Sequence, residues 1–357
     1  MDLTTLGYDE FFRVPFEQLK ADDDALIPAR ISQVQKYRYK LMTPAGEVFA
    51  VLPKKFRYQA EQREQLPVVG DFVAAVMEGD EGVITHLLPR KNKLSRKTTM
   101  ELTEEQVIAA NIDTVFLVSG LDGEFNLRRI ERFLTVVREA ESEPVVVLNK
   151  SDLVDLPETY VEKVVQAIGD IPVHCASGMT GIGIDEIASY LSHGHTAVFI
   201  GASGVGKSTL INSLLGTDRQ KTQDVREADS KGRHTTTFRE MIPMPGGGVV
   251  IDSPGMREVQ IWADEDVLGQ SFDDVETLAE SCRFRDCRHE GEPGCAVAQA
   301  ISAGELDQGR LVSYLRQKQE LEMLAERKSR SHLVERKSKM KQLHKEIRRY
   351  YKYDKRR

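Results

Sequence analysis

The run Gly201-Ala202-Ser203-Gly204-Val205-Gly206-Lys207-Ser208 separates two glycines by four residues and follows them with Lys and Ser. Chemistry on a polyphosphate needs these residue types in this order. Glycines let backbone N–H groups curl around phosphate oxygens, the lysine reaches the β and γ oxygens, and the serine hydroxyl ligates Mg²⁺. The flanks agree. An apolar strand over Val198–Ile200 enters the loop, and a helix over Ser208–Leu215 leaves it, with Thr209 in its first turn and Gly216 placed to cap it.

A second constellation, Asn149-Lys150-Ser151-Asp152, follows directly on the apolar run Val145–Leu148. A carboxylate there can accept both the N1–H and the exocyclic amine of guanine, and adenine offers no such pair of donors. Asp152 is expected to set base choice, with Asn149, Lys150 and Ser151 bracing the base pocket. An ATP-using phosphotransferase, the rival reading of a phosphate loop, is disfavoured by Asp152.

Asp252-Ser253-Pro254-Gly255 ends a strand over 248–251, placing the Asp252 carboxylate to hold Mg²⁺ through water and the Gly255 N–H to touch the γ-phosphate. Gly232-Arg233-His234-Thr235-Thr236-Thr237 lies between this switch and the phosphate loop. Thr236, with Thr235 as the alternative, is expected to complete the Mg²⁺ shell. Cys175-Ala176-Ser177 closes the strand after Pro172, where a backbone N–H can meet guanine O6; Cys175 also reads simply as a small buried residue.

The base motif precedes the phosphate loop, whereas in ordinary GTPases it comes last. The expectation is a circularly permuted GTPase domain, with the same pocket and relocated chain ends. No glutamine follows Asp252-Ser253-Pro254-Gly255; Met256 stands there, and an apolar side chain cannot orient an attacking water. Gly204 occupies the place where some related GTPases carry a potassium-holding asparagine.

Cys282-x4-Cys287-x-His289-x5-Cys295 supplies three thiolates and one imidazole, the donor set of a closed, structural Zn²⁺ site. Arg283, Arg285 and Arg288 interleave with these ligands and suit phosphate contact.

The elements that must position these groups are legible from patterning. Short strands over Ile27–Ile31, Tyr37–Met42, Val48–Leu52, Asp71–Met77 and Gly82–Leu87 suit a small barrel of the oligonucleotide-binding type, with an SH3-like barrel indistinguishable at this level. Buried parallel strands are expected at Thr114–Val118, Pro144–Leu148, Thr196–Ile200 and Val249–Ile251, with a helix over Leu127–Glu139. The reading is multidomain: an N-terminal extension (1–25), an OB-like β-barrel (26–95), an α/β P-loop GTPase domain (96–256), an α-helical zinc-binding domain (257–315) and a basic helical C-terminal extension (316–357).

Charge is divided along the 357 residues. The formal net charge is −7, yet Leu311–Arg357 holds sixteen Lys/Arg against six Asp/Glu, a local net of +10 that leaves −17 on the remaining 310. An acidic body with a basic end suggests an anionic partner at one end. Tyr350, Tyr351 and Tyr353 among the cations suit stacking on unpaired bases, against a purely solvated charged helix. Apolar content of 40% includes no membrane-length run, and Met1–Arg13 lacks a signal-peptide core. A cytoplasmic, membrane-free monomer is expected.

The whole arrangement closely resembles the ribosome small subunit-dependent GTPase A family, one of the circularly permuted GTPases. The resemblance runs from about Leu26 to about Leu315 and takes in Pro89–Arg96, Ala110-Asn111-Ile112-Asp113, the Gly232–Thr237 loop and the Cys282–Cys295 cluster. It implies conversion of GTP to GDP and phosphate, stimulated by the small (30S) ribosomal subunit and its rRNA during late maturation, with Mg²⁺ at the nucleotide and one structural Zn²⁺. The family shares the missing glutamine, which implies that hydrolysis relies on His234, on a partner, or on both; His234 also reads as a switch-loop residue contacting rRNA or backbone. The alternative is an rRNA-binding scaffold gated by GTP, in which hydrolysis is incidental.

Overall fold

Alternating apolar residues roll the first five strands into a barrel. β1 (Ile27–Gln35), β2 (Arg38–Thr43), β3 (Gly46–Val51), β4 (Phe72–Glu78) and β5 (Glu81–Leu87) pair in the order 1-2-3-5-4, and β1 pairs back onto β4. The β3–β5 pairing is parallel, and α2 (Lys54–Gln59) lies in the β3–β4 connection. This is the oligonucleotide-binding order, which settles the choice between the two barrel types. Ala29, Ile31, Tyr39, Leu41, Val73, Ala75 and Ile84 fill the interior. On β4 the alternate residues Phe72 and Ala74 face outward, onto Phe12 and Phe16 of α1 (Glu10–Asp22), so this strand is apolar on both faces. The Phe12 and Phe72 rings lie 4.2 Å apart. The computed structural model describes residues 1–35, 38–60, 63–97, 105–123, 125–216, 239–252 and 265–326.

The second unit is built on six strands. β8 (Thr114–Gly120), β9 (Glu143–Asn149), β10 (Val173–Cys175), β11 (Thr196–Gly201), β12 (Glu240–Pro243) and β13 (Val249–Asp252) pair in the order β10-β9-β8-β11-β13-β12, parallel except for β12. Both faces are covered, as a parallel sheet requires. Val115 and Leu117 of β8 face Ile130, Phe133, Leu134 and Val137 of α3 (Leu127–Glu139) and α4 (Glu158–Ile168). Phe116 and Val118 face the opposite layer, α5 (Ile184–Ala188) and α6 (Lys207–Leu215), through Ile187, Leu210 and Ile211. Each such aliphatic or aromatic side chain stabilises the fold by about 1.5–3 kcal/mol through burial.

Barrel and GTPase sheet are tied at two places. Gln33 of β1 pairs with Glu240 of β12, joining the strands into one continuous order. The Pro89–Arg96 segment, which leads into the hairpin β6 (Lys93–Lys97)–β7 (Glu105–Ala110), forms the other tie. Arg90 grips the fully buried Asp71 with two 2.7 Å bonds. Burial opposes its charge, yet Asp71 holds the guanidinium above its ordinary pKa. Asn92 and Ile112 exchange bonds of 2.6 and 2.8 Å, and Arg30 donates to the carbonyls of Leu6, Gly70 and Asn111. Gly70 has φ +93°, and a Cβ there would lie 2.2 Å from the Ala110 carbonyl, so only glycine permits this approach.

Of the C-terminal helices, α7 (Glu265–Ser271) packs on α3, α8 (Asp273–Glu280) packs on α7 and on α9 (Ala296–Ala303), and α10 (308–326) is bonded to α3. α10 begins eight residues before the basic helical extension expected over 316–357 and reaches the GTPase unit through Gln317, which accepts from Thr135 Oγ1 at 3.0 Å. At the centre, Arg310 bonds Asp274 (2.7 Å), the Ser271 carbonyl (3.1 Å) and Glu131 (3.1 Å), and stacks over Phe272 at 4.6 Å. Glu131 is 2% exposed. Removing one partner of such a pair strands a buried charge, so Arg310→Ala is expected to destabilise the protein by about 3–5 kcal/mol in urea unfolding. Pairing it with Glu131→Gln should recover part of that loss, and a neutral Arg310→Ala would discount the clamp.

Candidate functional site

Within the six-stranded unit the strand order changes direction between β8 and β11: its strands before the phosphate loop lie on one side of β11, and those after it on the other. In open α/β sheets, ligands bind in the crevice outside the carboxyl ends of strands at this switch point. Register brings the motifs there together. Gly120 pairs with Asn149, Cys175 with Leu148, and Gly201 with Val118, so the base motif, the 175–177 segment and the phosphate loop share one edge. Asp252 is the last residue of β13 at the same edge and is buried.

Within the phosphate loop, Ser203 and Gly204 are exposed, and the Lys207 ammonium rests on the Gly201 and Ala202 carbonyls at 2.9 and 2.7 Å. Ser208 and Thr209 lie in the first turn of α6, whose N-cap Gly206 brings no capping side chain. The N–H groups of a helix's first turn and the helix dipole favour an anion. Gly206 has φ +91°, and a Cβ on it would lie 2.2 Å from Asn149 Nδ2. The Asn149 amide donates to Val205 O at 2.7 Å and accepts from Gly178 N–H at 3.2 Å, bracing the phosphate loop against the base side.

Lys150 turns the chain with φ 65°, a left-handed conformation rare for a side-chain-bearing residue, and its ammonium pairs with Asp122 from the end of β8. Ser151 N–H is fixed on Ala176 O at 3.0 Å, which leaves Asp152 exposed at the start of a 3-10 turn (Ser151–Leu153). In the 175–177 segment, of which one backbone N–H is expected to meet guanine O6, the Ala176 and Ser177 N–H groups donate to Leu148 O and Ile182 O at 2.9 and 2.8 Å. Cys175 is half-buried; burial, then Glu158, pushes its thiol above the ordinary range, in keeping with a packing role. Gly232, His234, Thr235, Thr236, Thr237, Pro254, Gly255 and the tyrosine-bearing tail lie outside the described residues.

Cys282, Cys287, His289 and Cys295 converge between α8 and α9, with their ligand atoms all within 4.8 Å of one another. Cys295 Sγ lies 3.4 Å from His289 Nδ1, and Cys282 Sγ lies 3.9 Å from Cys295 Sγ and 3.7 Å from His289 Nδ1. A tetrahedral ion with arms of about 2.0–2.3 Å requires edges of roughly 3.5–3.8 Å, so the four donors fit one metal ion. Burial opposes ionisation of Cys282, but the N–H groups of Val297 and Ala296 hold its thiol below the usual value. Cys295 caps α9, accepting from Ala298 N–H at 3.3 Å. Burial holds His289 below its ordinary pKa, in the neutral form that ligates. Arg283, Arg285 and Arg288 are exposed around the cluster.

Sequence reasoning passed over Asp122, Arg30 and Arg310. Each acts on a residue distant in the chain, and none stands in a motif.

A profile of the RsgA GTPase family matches residues 87–262. An ABC transporter profile matches residues 184–355, a span that includes the phosphate loop and omits Asn149–Asp152. The small ribosomal subunit biogenesis GTPase RsgA of Opitutus terrae is 43% identical over 325 residues, covering 88% of each chain. That of Syntrophotalea carbinolica is 42% identical over 332 residues, covering 90% of each. Among solved structures, YjeQ from Thermotoga maritima aligns with a TM-score of 0.60 at 28% identity, over 83% of this chain and 98% of that one. YloQ, described as a circularly permuted GTPase, aligns at 0.56 and 25% identity, over 85% and 96%.

Proposed function

This chain belongs to the RsgA GTPase family and is a GTP hydrolase, and from that premise we propose that its turnover serves late maturation of the small ribosomal subunit, which stimulates it. The observation that carries the reading is the shared edge at which Asn149 ties the base motif to the phosphate loop. The relatives named above are small ribosomal subunit biogenesis GTPases, which supports the same partner here.

Asp152 recognises guanine. Asn149, Lys150 and Ser151 frame its pocket beside 175–177, and residues 201–209 cradle the phosphates. Ser208 and Asp252, with Thr236 or Thr235, hold Mg²⁺, and 232–237 with 253–255 are the switches. The ion supplies charge neutralisation at the β and γ oxygens when bound. His234 is the proposed water-positioning residue, because Met256 cannot take that part. The Cys282, Cys287, His289 and Cys295 donors suit one structural Zn²⁺ with no open position for chemistry. The exposed arginines around that cluster, the barrel and the basic tail are the rRNA-facing features. No helix among the described residues is long and apolar enough to cross a membrane; the proposed setting is the cytoplasm, with the chain acting as a monomer.

The test is GTP turnover with and without isolated small subunits. Intrinsic turnover of about 10⁻⁴–10⁻² per second is expected, rising by roughly two orders of magnitude or more with small subunits and little with large ones. His234→Ala should abolish most of that rise and leave nucleotide affinity intact. Unstimulated turnover combined with tight, GTP-dependent binding to the particle would point instead to a scaffold.

A further inference from the structure

Lys150 makes an unusual crossing. It leaves the end of β9, yet its Cε lies 3.9 Å from where a Cβ on Gly206 would stand, in the loop after β11. β8 separates those two strands in the sheet, so the side chain passes over the end of β8. Asp122 waits there, with its Oδ2 paired to the Lys150 ammonium. Its other oxygen is folded against Gly120, where a Cβ would come within 2.7 Å of Oδ1, and the same Cβ would meet Val205 Cα at 3.7 Å. A side chain at Gly120 would push the carboxylate out of this position.

We infer that Asp122 is a positioning residue for the guanine nucleotide: it holds the Lys150 side chain stretched across the β8 end, between base motif and phosphate loop, before nucleotide arrives. The inference deepens the proposed function and rests on its assignment of this edge to a guanine nucleotide. Side-chain exposures of 23% for Lys150 and 24% for Asp122 leave the pair within reach of solvent, which reduces what it adds to folding. Its use lies elsewhere. A lysine has large rotamer entropy, and ordering it at the moment of binding weakens affinity; a lysine already clamped avoids that loss. The clamp also keeps the ammonium from swinging onto the phosphates, where Lys207 already serves.

The experiment measures the affinity of the full chain for a fluorescent GDP analogue, with steady-state GTP turnover alongside. Asp122→Asn keeps the shape and removes the charge. It should weaken binding by about fivefold, the effect of freeing one long side chain, and raise KM in parallel while kcat stays within about twofold. Asp122→Glu, which can still reach the ammonium, should restore most of the affinity. In a Lys150→Met background, Asp122→Asn should produce no further loss, because nothing remains to be positioned. An unchanged affinity in Asp122→Asn overturns the inference, as does a fivefold loss that persists in the Lys150→Met background. If the parent protein itself fails to bind the analogue, the guanine-site reading falls, and this inference falls with it.

Discussion

Asp152→Asn is expected to weaken GTP and GDP binding by about two to three orders of magnitude and to transfer preference to xanthine nucleotides. The carboxylate sits exposed at the head of the 3-10 turn, and its backbone is held by the Ser151–Ala176 bond, so the side chain can change without moving the loop. Guanine offers two donors, N1–H and the exocyclic amine, and a carboxylate accepts both. Hydrogen bonds to a charged partner contribute about 1.5–3 kcal/mol each. Asparagine keeps one acceptor and turns an N–H toward the amine, so it loses one bond and weakens the other. About 3–4 kcal/mol of lost binding corresponds to that change in affinity. Xanthine carries an oxygen in place of the amine, which accepts from the new amide. Competition of a fluorescent GDP analogue by GDP, XDP and ADP reads the result directly. A variant that kept its guanine preference would remove Asp152 from base recognition and reopen the adenine-nucleotide alternative.

Stripping the metal is expected to unfold the C-terminal helical region. Structural zinc contributes about 10–16 kcal/mol of apparent binding energy in small peptides, and a whole domain's folding stability is only about 5–15 kcal/mol. The segment between α8 and α9 has little else to hold it. Between Ser281 and Gly294 only Cys282, Cys287, His289 and Glu292 are half-buried, and every other residue there is exposed. Purified protein should contain one zinc per chain. A strong chelator, or Cys295→Ser, should lower the thermal midpoint and reduce the helical circular dichroism signal. Nucleotide binding should survive within a few-fold, because none of the four donors stands at the strand ends that form the nucleotide edge. Metal-free protein with an unchanged midpoint would dismiss the site as chance proximity.

These two expectations use residues that could be picked out before any fold was known, and the reason is locality. A phosphate loop is specified by what consecutive backbone N–H groups and two side chains must do, so Gly201 to Ser208 announce it in eight positions. The base motif sits within one residue of its strand end, and the helix expected over Leu127–Glu139 spans those same residues. Four soft-ligand donors within fourteen residues likewise declare a metal, because one ion can gather them without help from the rest of the chain.

Tertiary structure decided what depends on pairing order. Five short strands specify a barrel, but only the order 1-2-3-5-4 with a parallel β3–β5 pair selects its type. Asp122 and Lys150 are 28 residues apart, and Glu131 and Arg310 are 179 apart. Nothing local marks either pair, since a charged side chain on a helix or in a loop reads as a solvated one until the opposite charge is brought to it. The 176–177 donors show the converse. Their place at a strand end suits a contact with the base, and only the fold shows that sheet and loop hydrogen bonds engage both N–H groups. The sequence by itself therefore determined which chemistry the chain carries, through spacing over a few residues. The fold alone determined which residues hold that chemistry in place, because ion pairs and backbone bonds between distant segments exist only once strand order and helix docking have set the distances.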